Sequence, residues 1–278
     1  MKSVLIAVGQ ANTEPWLSIW KEGQEKTWVK DSVTGSRVIH FTSKDAPYLV
    51  KKFDKIHESI RYRKTLGLWQ GRLDKISTKF ISRKIPKYLF STESNILSVN
   101  SWSTYYFFGQ RNIALYDWFL QNTNDDFLFV TNTSSYINQK KLLHIVQNFD
   151  STEAIYAGYL LPEGGKEQFV SGAGRLLSRK SVEIIKSNWN KHTHETLEDV
   201  CLGLFMKLMG IIAIPLPRVS LPSTESVVLL PDSVVSTEFN FRCKSQEIPR
   251  KDVEIMKLLH ERISKIDKNQ TNQTNQTK

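Results

Sequence analysis

Long apolar runs are missing from this 278-residue chain. None approaches the roughly 18 to 20 consecutive apolar positions a membrane-spanning helix needs, so a spanning segment is excluded on length. Cysteine is scarce as well. Cys201 sits in a helical pattern and Cys243 lies far from it, which is no disulfide framework, and free thiols in a reducing compartment are the expectation. The opening Met1-Lys2-Ser3-Val4-Leu5-Ile6-Ala7-Val8-Gly9 has one lysine and too short an apolar stretch for a secretory signal. It reads as a first buried strand, and a cytoplasmic location is expected. Histidines at metal-ligand spacing are lacking too. His192 and His194 have strand-face spacing in a polar loop beside Glu195 and read as ordinary loop residues.

What the chain has in quantity is apolar and aromatic side chains, 40% and 11%, with seven tryptophans. That composition describes a packed globular protein, not a disordered one. Its net charge of +10 is concentrated between residues 51 and 90, where twelve Lys or Arg face three acidic residues. A basic stretch interleaved with Phe53, Tyr62, Trp69, Phe80 and Tyr88 attracts phosphates, anionic lipid headgroups or nucleic acid. An equally good reading is a solvated helical face whose lysine and arginine stems cover apolar surface. No nucleic-acid motif accompanies it. The preferred partner is an anionic membrane surface or a phosphorylated acceptor, which implies a peripheral position at the inner face of a membrane.

Apolar periodicity orders the rest of the chain. Ser3 to Val8 is a strand, followed by the loop Gly9 to Thr13 and a helix from Glu14, with Thr13 as its cap and Pro15 in its first turn. Arg37–Thr42 is a second strand. Lys87–Phe90 and Asn95–Val99 are short strands, and Asn112–Leu120 is a helix too rich in apolar residues for a surface element. Phe127 to Val130 is a buried central strand that stops at Thr131-Asn132-Thr133-Ser134-Ser135-Tyr136. In an open α/β sheet ligands gather outside the carboxyl ends of the strands, so this polar loop is the first place to look for chemistry. Side chains of this kind also form ordinary turns. Later come a helix over Lys140–Phe149, strands at Ala154–Tyr159 and Phe169–Ser178, a helix capped by Ser178, and a helix opening at Thr196. A strand at Ile211–Ile214, the segment Phe239–Lys244 and a helix from Pro249 to about Ile266 close the order. The tail repeats Asn-Gln-Thr three times; each unit matches a glycosylation acceptor, read as composition only, and disorder is expected there.

Three pieces of this order carry chemistry together: Val130 to Tyr136, Phe169-Val170-Ser171-Gly172-Ala173-Gly174-Arg175-Leu176-Leu177-Ser178, and Leu197-Glu198-Asp199-Val200-Cys201-Leu202-Gly203. Their sequence and spacing resemble the fringe-like β-1,3-glycosyltransferases, nucleotide-sugar enzymes of the GT-A fold. The resemblance reaches Trp16–Trp28 and Phe239–Lys244 more faintly and leaves out the basic stretch. It implies one GT-A-like (Rossmann-like) α/β domain over residues 1–266, with a mixed, mostly parallel central sheet flanked by helices. A basic helical insert at about 49–90 and a disordered tail at 267–278 complete the expected organisation.

The same resemblance implies a UDP-sugar donor, a glycan acceptor and Asp199 as the base that takes the acceptor's proton, with Glu198 second. Capping of the helix start is an equal alternative for Asp199. Val8, Gly9, Gln10, Asn132, Thr133, Ser134, Ser135, Gly172, Ala173 and Gly174 are expected around the donor. The two glycines admit close backbone approach there or else form a bulge.

The chain departs from the family at the loop. Where the family carries metal-binding aspartates, this chain has Asn132, Thr133 and Ser134, and Asn240 stands near the place of the family's late histidine. Hard cations bind carboxylates far better than amides or hydroxyls. Two readings stay open. Either Arg175, Arg242 and Lys244 neutralise the diphosphate without a metal, or catalysis is lost and a nucleotide- or glycan-binding protein remains. A basic nucleic-acid-binding protein is the third reading.

Overall fold

The computed structural model describes residues 1–31, 33–52, 84–104, 107–162, 168–192 and 197–276. Most of the basic stretch at 51–90 and His194 lie outside the described residues, and so do the docking expectations tied to that stretch.

The organising strand is β1 (Val4–Gly9), which is apolar at every position through Val8. Val4, Ile6 and Val8 point into one core while Leu5 and Ala7 point into the other, and all five are fully buried. An unbroken apolar run of this kind is what a strand covered on both faces requires. β1 pairs in parallel with β2 (Ser36–Lys44) and with β5 (Phe127–Asn132). Outward from β2 come β4 (Ile96–Trp102), parallel, and β3 (Tyr88–Ser91), antiparallel. Beyond β5 lies β8 (Phe169–Ser178), antiparallel to β5 and to the next strand, β7 (Tyr156–Leu161), and β7 pairs in parallel with β9 (Ala213–Pro215). The sheet is mixed, with four parallel pairings among seven, as the sequence suggests.

Register decides what gathers at one edge. Gly9 lies opposite both Phe41 and Asn132, so the loops leaving β1 and β5 start side by side. Because β8 runs antiparallel with Arg175 opposite Val130, its residues 173 and 174 come beside the last residues of β5, and 171 and 172 lie past its carboxyl end. A small second sheet joins β6 (Ser135–Ile137), β10 (Val219–Ser220) and β11 (Asn240–Arg242), and it sets Arg242 opposite Ser135.

Helices cover both faces. α1 (Trp16–Ser18) winds directly into a π-helical stretch, Ile19–Gln24. α2 (Phe108–Asn122), α3 (Gln139–Gln147), α4 (Arg179–Ser187) and α5 (Glu198–Leu208) follow. The short α6 (Thr224–Val228) and α7 (Asp232–Thr237) lead to α8 (Asp252–Gln276). α2, α4 and α5 bury their apolar faces in the core containing Leu5; α3 and α8 bury theirs in the core containing Val4. Among the described residues no helix is long and apolar enough to cross a membrane.

Several local expectations need correction. Thr13 does not cap α1 with its side chain; Pro15 precedes the helix and Leu17 N–H reaches the Thr13 carbonyl at 3.1 Å. Ser178 does cap α4, accepting from Ser181 N–H. Residues 135–137, read as loop, pair as β6 because Tyr136 finds Phe241 across a register that sequence periodicity over three residues does not reveal. The last helix runs past Ile266 to Gln276, through the repeat expected to be disordered. With no Gly or Pro to stop it, the backbone continues its internal hydrogen bonding. Cys201 and Cys243 are buried free thiols.

Candidate functional site

A cleft of about 530 Å³ opens at the carboxyl edge of β1 and β5. Gly9 and Gln10 leave β1 into it, Thr131 to Ser134 leave β5 into it, and Ser171 to Ala173 enter it from β8. The first turn of α5 supplies Glu198 and Asp199, the first turn of α2 supplies Phe108, Arg111 and Asn112, and Arg242 and Lys244 complete the wall. Three distant segments of the chain, read together in the sequence, thus face one space. The tie between them is made of hydroxyls. Thr131 Oγ1 and Ser135 Oγ both donate to the Ala173 carbonyl, at 3.1 and 3.2 Å, locking the β5 loop to β8. Buried Gln24 donates to the carbonyls of Asn132 and Ser135 at 3.1 and 2.9 Å and holds the loop from below.

The two carboxylates of the acidic pair do different things. Glu198 accepts a 2.8 Å bond from Arg175 Nη1, and both side chains are buried, 10% and 1% exposed. Burial by itself would lower the guanidinium's pKa, but the charge and hydrogen bond of Glu198, with Tyr116 and Tyr156, together outweigh it and raise the pKa, so Arg175 stays charged as the partner of Glu198. Asp199 has no cationic partner at hydrogen-bond range among the described residues. Its Oδ2 accepts from Gly172 N–H at 3.2 Å and its Oδ1 from Val200 N–H at 3.0 Å. α5 starts after Leu197 with no side-chain cap at that residue, and Asp199 gives one oxygen to β8 and the other to the first turn of its own helix. Burial and then the Glu198 charge push its pKa above the usual carboxylate value, which suits a group that must hold a proton during reaction. A Cβ at residue 172 would lie 3.6 Å from Asp199 Oδ2, an ordinary van der Waals contact, so strand and carboxylate meet closely here without the space itself demanding glycine.

The loop after β5 does not fit a divalent metal. Asn132 Oδ1 already accepts from Ser134 N–H and Ser135 Oγ at 3.1 and 3.3 Å, folding the amide back on its own turn. Ser134 Oγ accepts from Arg250 Nη2 at 3.0 Å, and Arg250 is stacked 4.5 Å above the Trp16 ring. Arg250 is itself ion-paired with the buried Asp252, so the Ser134 hydroxyl is already taken up by a compensated guanidinium. Among the described residues no group of three His, Cys, Asp or Glu side chains is placed to hold a metal ion.

Cations line the cleft in two different states. Arg242 and Lys244 face it from β11 and the segment after it; burial, and then Arg250, lower the Arg242 pKa. Arg175 reaches the cleft but is committed to Glu198, so it is not the free cation the sequence suggests. Arg111, which sequence reasoning passed over, is 9% exposed and lies at the inner end. Burial lowers its pKa to about 10, so it remains charged at neutral pH. The signal for it was a lone arginine at the start of a helix otherwise too apolar for a surface.

Three expected site residues do not reach the cleft wall. Val8 is wholly inside the core. Ser135 turns its hydroxyl to Asn132 and Ala173 and has no exposed surface. Gly174 packs under β11, where an added Cβ would meet Asn240 Nδ2 at 2.4 Å; Asn240 is accordingly buried behind the strand, not presented as a ligand. Gly9, Gln10, Asn132, Thr133, Ser134, Gly172, Ala173, Arg175, Glu198, Asp199, Arg242 and Lys244 all line the cleft.

No family model and no curated protein matches the chain. Among solved structures it is similar to a glycosyltransferase involved in glycosylation of the major capsid of PBCV-1, at TM-score 0.45 and 10% identity over 92% of this chain and 98% of that one. It is also similar to the galactosyltransferase LgtC in complex with donor and acceptor sugar analogues, at TM-score 0.42 and 10% identity over 93% and 95%. A third likeness is to the apo form of the glycosyltransferase GlyE of Streptococcus pneumoniae TIGR4, at TM-score 0.45 and 11% identity over 95% of this chain and 64% of that one.

Proposed function

We propose that the protein is a fringe-like glycosyltransferase that moves a sugar from a UDP-sugar to a hydroxyl of a glycan acceptor, with inversion and without a divalent metal. The observation that carries this reading is the meeting of Asp199, the Asn132–Ser134 loop and the cations Arg111, Arg242 and Lys244 around one cleft. The acceptor oxygen attacks the anomeric carbon, its proton passes to an Asp199 oxygen, and the bond from that carbon to the diphosphate oxygen breaks as UDP leaves. Negative charge grows on the leaving diphosphate in this step, and the fixed guanidinium and ammonium groups stabilise it. The closed turn at Asn132 and the Arg250 bond to Ser134 support a site that works without an ion bound at the loop.

One feature favours a second reading, a catalytically silent protein that binds a nucleotide or glycan: the loop has no carboxylate at all. Both readings require a ligand that stabilises the native state, and turnover separates them. A panel of nucleotide sugars, each tested by thermal melting in EDTA, checks the donor. A UDP-sugar at about 100 times its Kd stabilises the fold by about 2.7 kcal/mol and raises the melting temperature by several degrees. Unchanged melting across the whole panel would remove the donor from this cleft.

A further inference from the structure

Arg111 is a buried charge with no ion-pair partner among the described residues, and the Glu198 charge that acts on it is already paired with Arg175. The other guanidinium this deep in the cleft wall, Arg175, has Glu198 against it. Arg111 instead donates from Nη1 to the Gln10 carbonyl at 3.2 Å and lies over the rings of Phe41 and Phe108, at 4.7 and 4.5 Å. Among the described residues no carboxylate pairs with it, and its Nε has no hydrogen-bond partner. Burying an unpaired charge is costly, so such a group is normally met by an anion.

The surroundings are built for one. A Cβ on residue 9 would come within 2.9 Å of Arg111 Nη2, so Gly9 makes the room the guanidinium occupies at the end of β1. α2 begins after Phe107 without a side-chain cap, and Phe108, Arg111 and Asn112 near its start line the cleft. Three further residues lining the cleft carry a buried atom with no hydrogen-bond partner among the described residues: Gln10 Oε1, Thr104 Oγ1 and Asn112 Oδ1. Buried polar atoms in native proteins are almost always paired, so four such residues around one cleft call for a ligand or solvent to meet them.

We infer that Arg111 is the cation that receives a diphosphate group, while Gln10, Thr104 and Asn112 take the hydroxyls of the sugar or ribose attached to it. The name of the ligand rests on the donor-site reading above; the test does not. Arg111 then carries, from the β1 side, the charge that an ion at the β5 loop would otherwise supply.

The probe is inorganic pyrophosphate, titrated calorimetrically into the full chain in EDTA. The wild type binds one equivalent. Arg111→Met binds at least about tenfold more weakly, the loss expected when a charge-assisted hydrogen bond goes. Arg111→Lys falls between, because it keeps the charge but loses the planar fork. Melting curves establish that each variant is folded; if Arg111→Met is not, Arg111→Lys decides, and it must bind more weakly than wild type. Pyrophosphate binding equal to wild type in the deciding variant, or no binding by wild type in EDTA, overturns the inference. Pyrophosphate held through Arg111 with no UDP released from any UDP-sugar sinks the transferase reading and leaves this site standing. Turnover unaffected in Arg111→Met does the reverse.

Discussion

Asp199→Asn lowers the rate of sugar transfer by about 10²- to 10⁴-fold, the range a positioned general base contributes. The substitution is nearly isosteric, and the amide retains one oxygen for the Gly172 N–H that Asp199 accepts at 3.2 Å; the bond given up is the one from Val200 N–H inside the first turn of α5, so the meeting of β8 and α5 is preserved. What is lost is the ability to take the acceptor's proton. Donor binding, which depends on the loops and the cations, is expected to change little. A kcat that falls with the apparent donor affinity intact is therefore the signature, read by following UDP release. In the wild type the same chemistry sets the acid side of the pH profile. Burial and the neighbouring Glu198 charge both favour the protonated carboxyl, which cannot accept a proton, so activity declines as pH falls through a value above the ordinary carboxylate range. Equal rates in wild type and Asp199→Asn would take Asp199 out of the mechanism.

Glu198→Ala is expected to destabilise the fold by about 3–5 kcal/mol, the cost of leaving a buried charge without its partner. Arg175 is 1% exposed and Glu198 10%, so water does little to screen the guanidinium once the carboxylate is gone. The position also matters: Arg175 lies opposite Val130 in the register of β8 with β5, in the middle of the sheet edge that carries the cleft. Urea denaturation measures the effect. The double variant Glu198→Leu with Arg175→Met recovers most of the loss, because replacing both members of a buried pair by apolar groups is often close to neutral. A loss below about 1 kcal/mol in the single variant would mean the pair contributes no more than a surface bridge.

These two results divide a motif that the sequence presents as a unit. Leu197-Glu198-Asp199 reads as an acidic pair at a helix start, and the structure does place that pair at the start of α5 and in the wall of the cleft. Which carboxylate was free depended on Arg175, whose side chain crosses from β8, and no pattern along the chain reports a contact across 23 residues. The strands were legible where burial on both faces imposes a continuous apolar run, as in β1 and β5. β6 escaped because three residues carry no period, and the π-helical stretch after α1 escaped because the apolar spacing of Trp16, Ile19 and Trp20 serves either winding. Arg111 was visible only as an oddity, a cation at the head of an apolar helix. Its meaning came from the absence of a carboxylate beside it, which is a property of the fold.

Under the proposed function, the cleft performs sugar transfer with its own cations. The direct measurement is UDP release from a UDP-sugar and a glycan acceptor, with the purified chain stripped of metal and held in EDTA. Release at the rate seen with added Mg²⁺ or Mn²⁺ is the expected result. Release that stops in the chelator and returns with the metal would contradict it.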